Sequence, residues 1–337
     1  MCSLITCISV CALLIVIYYC LRYIWELIPI SNISGRIVFI TGCDSGFGRG
    51  ICLKCLKSGM TVFAGCYTEK GSASLYEDAK QLPGDLDIVH LDVSSDQSVQ
   101  KACEYVKSKL TDGKQLWAVV NNAGIFVYGP EEWCNIDDYK LAINVNALGV
   151  IRVTHAFKRL LKQSKGRIVT TASVAGRCAV PCSGPYTASK HVVEAFMDVV
   201  RQELRAFGIR CSIIEPGVFK TAMADKNALN ERIDQMWNRL DDETKAEYGE
   251  EFLDSYRRNF IIDPRFTACE NLNWVIDSYY HALTAMFPRN RYRCGWDAVF
   301  FFTPQCFLPT EIVDFINRIV FDIVLLKPAA RAAVKDR

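Results

Sequence analysis

The chain alternates between short apolar runs and longer segments with helical spacing. The runs 36–42 (RIVFITG), 61–66 (TVFAGC), 86–93 (LDIVHLDV), 116–124 (LWAVVNNAG), 166–174 (GRIVTTASV) and 209–217 (IRCSIIEPG) are apolar and rich in β-branched residues. Near-continuous runs of this kind are expected of strands covered on both faces. Segments between them, such as Asp137 to Leu161 and Tyr186 to Phe207, have the period and length of helices. Strand and helix alternating in this way predict an α/β fold, a doubly wound parallel sheet. In such sheets ligands bind at the carboxyl ends of the strands.

Two stretches lie outside the alternation. Leu4 to Leu21 carries no charge over eighteen residues, and Arg22, Tyr23 and Trp25 follow at once. That is long enough to cross a hydrocarbon core, with interfacial side chains at its end. The run is longer than the apolar part of a secretory signal, with no basic residue before it and no small-residue cleavage site after it. Residues 1–30 are therefore expected to be an uncleaved, single-pass membrane anchor. Arg22, partly offset by Glu26, favours a cytosolic body; the sequon Asn32-Ile33-Ser34 would matter only in a lumenal one. Near the other end, over about 308–326, Glu311, Asp314, Arg318 and Asp322 recur at helical spacing, and Lys327, Arg331, Lys335 and Arg337 follow. An amphipathic helix on an anionic membrane surface fits this pattern, as does one packed on its own domain or a partner subunit.

Composition narrows the field. A net charge of +2 on 337 residues without long charged blocks gives no reason to expect nucleic acid. The sixteen cysteines are scattered, and Cys52 and Cys55 fall within a helix, so they read as free thiols and core rather than a redox motif. His90, His155, His191 and His281 have no metal-ligand spacing, and no metal site is expected.

The unusual residues gather at the predicted strand ends. The first strand runs into Gly42-Cys43-Asp44-Ser45-Gly46-Phe47-Gly48 and then a helix. There glycines allow a tight turn, and a helix N-terminus attracts a pyrophosphate. A dinucleotide is the expected ligand. Asp92 and Val93 close the third strand, where the acid could reach an adenine amino group or simply be solvated. Asn121, Ala123 and Gly124 close the fourth, where small residues admit a ribose. Pro216, Gly217 and Val218 close the sixth, and Thr221 follows in a position to hold a carboxamide. Between the fifth strand and the next helix stand Ser173, Tyr186 and Lys190. Four residues along a helix set Tyr186 and Lys190 on one face, where an ammonium favours the phenolate of a tyrosine whose ordinary pKa is about 10. Ser173 could donate to a substrate oxygen beside the phenol.

Together TGCDSGFG, NNAG, Asn146 in VNALG, Ser173, Tyr186-xxx-Lys190, Pro216-Gly217 and Thr221 resemble the short-chain dehydrogenases/reductases over roughly residues 34–262. FAGCYTEKG, EPGVFKT and the anchor are similar to the branch holding retinol, hydroxysteroid and 3-hydroxybutyrate dehydrogenases. The resemblance implies a Rossmann-type domain with a substrate lid at 218–262, a C-terminal extension at 263–337, and self-association through the two long helices. It also implies roles: Tyr186 as acid/base, Ser173 orienting the substrate oxygen, Lys190 on the nicotinamide ribose lowering the tyrosine pKa, and Asn146 in the proton relay. Ala172 stands where relatives often carry a second serine. Asp44 in the loop would repel a 2′-phosphate, which favours NAD and leaves NADP open, Lys70 being the residue to upset it. The expected reaction is oxidation of a hydroxyl on a lipophilic substrate, a retinoid or steroid, at a membrane, with the endoplasmic reticulum as compartment. The alternatives are a 3-hydroxybutyrate dehydrogenase of the mitochondrial membrane and an idle dinucleotide-binding scaffold. Ile125, Phe126, Val127, Val180, Phe219, Met223 and Trp237 are candidates for an apolar pocket.

Overall fold

The structure, a computed structural model, describes residues 2–111, 113–221, 226–259 and 269–324. Met223 and the basic residues after 324 lie outside them. Seven strands form one parallel sheet: β1 (Ile37–Thr41), β2 (Thr61–Cys66), β3 (Leu86–His90), β4 (Leu116–Asn121), β5 (Arg167–Thr171), β6 (Arg210–Pro216) and β7 (Arg291–Cys294), in the order β3-β2-β1-β4-β5-β6-β7. The order reverses between β1 and β4, which opens a crevice at their carboxyl ends. β1, β4 and β5 are buried throughout, as their apolar runs require.

The helices are α1 (Cys2–Glu26), α2 (Gly46–Lys57), α3 (Glu69–Ala79), α4 (Asp96–Lys109), α5 (Ile136–Ala142), α6 (Gly149–Ser164), α7 (Gly184–Leu204), α8 (Lys226–Asn238), α9 (Asp242–Tyr248), α10 (Glu250–Asn259), α11 (Asn273–Thr284), the short α12 (Thr303–Gln305) and α13 (Thr310–Val324). Two apolar cores cover the two faces of the sheet. Phe39, Phe157 and Met197 belong to one, and Ile40, Leu56 and Tyr279 to the other. A third core, built on Trp133, Trp237, Phe252 and Tyr256, holds the helices α8 and α10 together beside the crevice.

Two departures from the sequence reading have physical causes. The helix expected from Asp137 to Leu161 is interrupted by a π-helical turn over Ile143–Leu148, which brings Asn146 inward. The seventh strand, RYRC, is short and half charged, so it lacks the apolar signature of a buried strand; its Arg291 is neutralised by acids from α7 and β6. For α13, which the sequence leaves open between a membrane surface and a packed position, apolar side chains face outward: Phe315 is 61% and Ile312 46% exposed.

α1 is long and apolar enough to cross a membrane, and its apolar side chains are exposed. Its end is fastened to the body, where the buried Glu26 carboxylate accepts hydrogen bonds from Arg22 and Arg289 at 2.8 Å each.

Candidate active site

A cavity of about 730 Å³ opens at the crevice. Its floor is the β1–α2 turn. Gly42 adopts a φ of +72°, and a Cβ on Gly48 would lie 2.1 Å from the Gly42 carbonyl oxygen, so only glycine lets the chain double back this closely. Thr41 and Asn122 hold the turn to β4: the Thr41 hydroxyl accepts from the amides of Asn122 and Ala123 at 3.0 Å, and the Asn122 side chain donates to the carbonyls of Thr41 and Gly42. At the start of α2, Ser45 makes no side-chain cap, which leaves first-turn N–H groups available to a diphosphate. Asp44 faces the end of β2, where its carboxylate accepts from the amides of Tyr67 and Thr68 and from the Thr68 hydroxyl at 2.7–3.1 Å. These features fit a dinucleotide: a tight glycine floor, a free helix N-terminus, and a carboxylate at the second strand's end.

The residues expected to carry the chemistry lie across β5. Ser173 follows that strand and its hydroxyl accepts from the Ala175 amide at 3.1 Å. Tyr186 rises from the first turn of α7 with its ring edge-on to Phe126, centroids 4.8 Å apart. Lys190, one turn on, lies 5.6 Å from the Tyr186 ring centroid and donates to the Thr171 carbonyl at 2.9 Å. The Thr171 hydroxyl meets that of Tyr279, which donates to Asn122 at 3.1 Å. Asn146 stands behind this line: its carboxamide accepts from the Ile125 amide at 2.8 Å and donates to the Ile125 carbonyl and the Ser189 hydroxyl at 2.9 and 3.0 Å. The π turn supplies that position.

Burial dominates the electrostatics. It pushes the Tyr186 phenol up to about 12, while the Ser173 hydroxyl acts the other way. It pulls the Lys190 ammonium down to about 8, against the attraction of Glu194. Glu194, one turn beyond, is itself pushed up to about 7 by burial and by Glu215, although Arg291 opposes both. Arg291 reaches Glu194, Glu215 at 2.6 Å and Asp198 at 2.6 Å. Desolvation is thus the largest influence on the Tyr186 phenol and holds it above its ordinary value.

Most of the residues singled out from the sequence meet at this cavity. Gly42, Asp44, Ser45, Gly46, Phe47, Asp92, Val93, Ala123, Gly124, Ser173, Tyr186, Lys190, Pro216, Gly217, Val218 and Thr221 line it, as do Ile125, Phe126, Val180 and Phe219. Four cofactor and pocket candidates among the described residues do not. Asn121 points into the core and donates to Thr154 and Thr170, leaving its neighbour Asn122 at the crevice. Gly48 lies beneath the turn. Trp237 packs against Trp133 with centroids 5.1 Å apart, inside the third core rather than on the cleft. Val127 is buried as well, at 1% exposure. Asn122 stands outside the cofactor set expected from the strand end Asn121-Asn122-Ala123-Gly124, and the sequence reading missed Thr171, Tyr279, Arg232 and Phe302. Asn122 alone had a visible signal, as the second asparagine of NNAG.

The short chain dehydrogenase family profile matches residues 36–232, and the chain belongs to that family. It is an oxidoreductase that uses NAD or NADP and acts on hydroxyl groups. A 3beta-hydroxysteroid dehydrogenase of Caenorhabditis elegans is 44% identical over 88% of this chain and 77% of its own. The 17-beta-hydroxysteroid dehydrogenase type 6 of Homo sapiens is 40% identical over 89% and 93%. Retinol dehydrogenase 7 of Mus musculus is 40% identical over 87% and 91%. Among solved structures, a short chain dehydrogenase/reductase from Burkholderia phymatum in complex with NAD superposes with a TM-score of 0.66 at 23% identity, covering 83% of this chain and 95% of that one.

Proposed function

We propose that this protein oxidises, and in reverse forms, a hydroxyl on a steroid-like lipophilic substrate at a membrane, with NAD as cofactor. One observation carries the choice of substrate. The lining of the substrate end is apolar, from Ile125, Phe126, Val180, Phe219 and Phe302, yet Arg232 of α8 joins it and donates to the Phe126 carbonyl at 2.5 Å. Among the described lining residues Lys190 and Arg232 are the only cations. A guanidinium holds five donors, so those left over suit a second oxygen on a rigid apolar substrate. Steroids carry oxygens at both ends; retinol does not. The retinoid reading keeps support from relatives named retinol dehydrogenase. The 3-hydroxybutyrate alternative gains none from relatives named for steroids and retinol.

In this reading Ser173 donates to the substrate oxygen and Tyr186 exchanges its proton with it. A bound nicotinamide supplies the hydride acceptor. Lys190 keeps a positive charge near the phenol and the cofactor ribose. Asn146, both of whose amide protons are engaged, positions Ile125 and Ser189 behind the site. Gly42, Ser45, Gly46 and Phe47 cradle the diphosphate. Asp92 and Val93 flank the adenine, Ala123 and Gly124 the ribose, and Pro216, Gly217, Val218 and Thr221 the carboxamide. Asp44 puts a negative charge at the end of β2, which supports NAD over NADP. Residues 218–262, of which 222–225 and 260–262 lie outside the described residues, serve as the lid, and α13 as a surface contact with lipid.

An uncleaved α1 would hold the enzyme in the endoplasmic reticulum membrane. Exposed apolar residues on the two long helices, Leu148, Val192 and Val199, support a homodimer through those faces. The test of substrate uses membranes bearing the protein, NAD, and either an androstane diol or retinol. NADH from the diol in preference to retinol is expected; turnover of retinol alone would move the assignment to retinoids.

A further inference from the structure

Two thiols that this chemistry leaves unused face each other beside the cleft. Cys178 follows Ser173 on the loop that leads to Tyr186, and its Sγ lies 3.3 Å from the Sγ of Cys306. Both sulfurs approach the Phe302 carbonyl oxygen, at 3.0 and 3.7 Å. The two residues are 128 apart in sequence, so only the fold brings them together. Each is fixed by its own turn: the Cys178 amide donates to the Val174 carbonyl at 2.9 Å, and that of Cys306 to the Thr303 carbonyl at 3.2 Å. A disulfide bond of about 2.05 Å asks the sulfurs to close by about 1 Å more, a side-chain adjustment.

We infer that Cys178 and Cys306 are a site of reversible covalent modification, a disulfide made by exchange with glutathione disulfide, and that this link fastens the two walls of the substrate cleft together. Val180 and Ser183, just beyond Cys178, line one wall, and Phe302, four residues before Cys306, lines the other.

The order of steps follows from exposure. Cys306 is partly exposed and Cys178 is buried. The Cys306 thiolate attacks one sulfur of glutathione disulfide, and the first glutathione leaves as a thiolate that takes up a proton. Cys178 then gives up its proton and attacks the Cys306 sulfur, expelling the second glutathione. The two cysteines lose two electrons and two protons, and glutathione disulfide becomes two thiols. Burial pushes the Cys178 thiol up to about 12, aided by Cys306. It is therefore a poor first nucleophile and acts only on a sulfur already beside it. With the link made, the cleft opens less. Entry of a bulky lipophilic substrate slows, while a dinucleotide bound along the β1–α2 turn is untouched.

The test equilibrates the full-length protein in membranes or detergent with glutathione disulfide, traps remaining thiols by alkylation, and maps peptides without reduction. One peptide joining 178 and 306 is expected, split by dithiothreitol, absent from Cys306→Ser and retained in Cys182→Ser. The oxidised protein should bind NADH unchanged and lose most of its kcat/KM for the lipophilic alcohol, recovering with dithiothreitol. Alkylation of both residues, or pairing of Cys306 with Cys182, overturns the site; a complete link with unaltered kcat/KM overturns its action on the cleft. NADH binding and thiol mapping do not depend on the steroid assignment, so a wrong substrate would leave them standing.

Discussion

The Lys190 ammonium donates its 2.9 Å hydrogen bond to the Thr171 carbonyl and stands 5.6 Å from the centre of the Tyr186 ring. The cation therefore acts on the phenol through space, and the strand end carrying Thr171 decides where it sits. Replacing it by methionine removes the charge and leaves the Thr171 carbonyl without this donor. Turnover should fall by roughly a hundredfold or more, with Lys190→Arg recovering little because a planar fork cannot take the same bond. Steady-state kinetics of the two variants check this.

The same pair sets a pH dependence. Oxidation needs the phenolate, and with the phenol at about 12 its ionised fraction grows as pH rises through neutrality. Lys190, at about 8, loses its charge over the upper part of that range and so flattens the rise. Reduction needs the phenol proton, which is present throughout. Oxidation should therefore climb from pH 6 to 8 and bend above it, while reduction stays level. A pH–rate profile in both directions reads this directly; a reductive rate that climbs with pH would contradict it.

Asp44 offers a cofactor test. Asp44→Asn keeps an acceptor for the Tyr67 and Thr68 amides and removes the charge at the end of β2. The ratio of kcat/KM for NADP to that for NAD should rise about tenfold, a change of about 1.4 kcal/mol. An unchanged ratio would mean that the carboxylate only ties the loop.

Arg291 should be a stability residue. It neutralises Glu194, Glu215 and Asp198 behind Lys190, and two of those acids are almost fully buried. Arg291→Met leaves those carboxylates without their counter-charge, at a cost of about 3–5 kcal/mol. Urea unfolding followed by tryptophan fluorescence would measure it.

Trp133 is 1% exposed and touches Trp237, Tyr248, Phe252 and Tyr256, with ring centroids 5.1–5.9 Å away. Trp133→Ala should cost about 3–5 kcal/mol locally and loosen α8 and α10. KM for the lipophilic alcohol should rise while NADH affinity, read by fluorescence, holds.

What the sequence disclosed follows from these particulars. The β-branched runs, the glycine turn and the order of Ser173, Tyr186 and Lys190 were legible because local periodicity and spacing encode them. β7 was not, because charge conceals a strand whose arginine is paired only in the fold. Asn121 and Asn122 are adjacent in NNAG, yet opposite pleat faces send one into the core and the other to the crevice. Trp237 reads equally as pocket or core until α8 is packed on Trp133. Arg232 and the Cys178–Cys306 pair depend on contacts between distant segments, which no local pattern reveals.

The most direct test of the proton-transfer assignment compares membranes bearing the native protein with those bearing Tyr186→Phe, following NADH formation from NAD and an androstane diol. The variant keeps the ring against Phe126 and loses the proton carrier. The expected result is robust NADH formation by the native protein and a loss on the order of a thousandfold in the variant, with NADH binding retained. Turnover by Tyr186→Phe close to that of the native protein would contradict the assignment of Tyr186 as the acid and base.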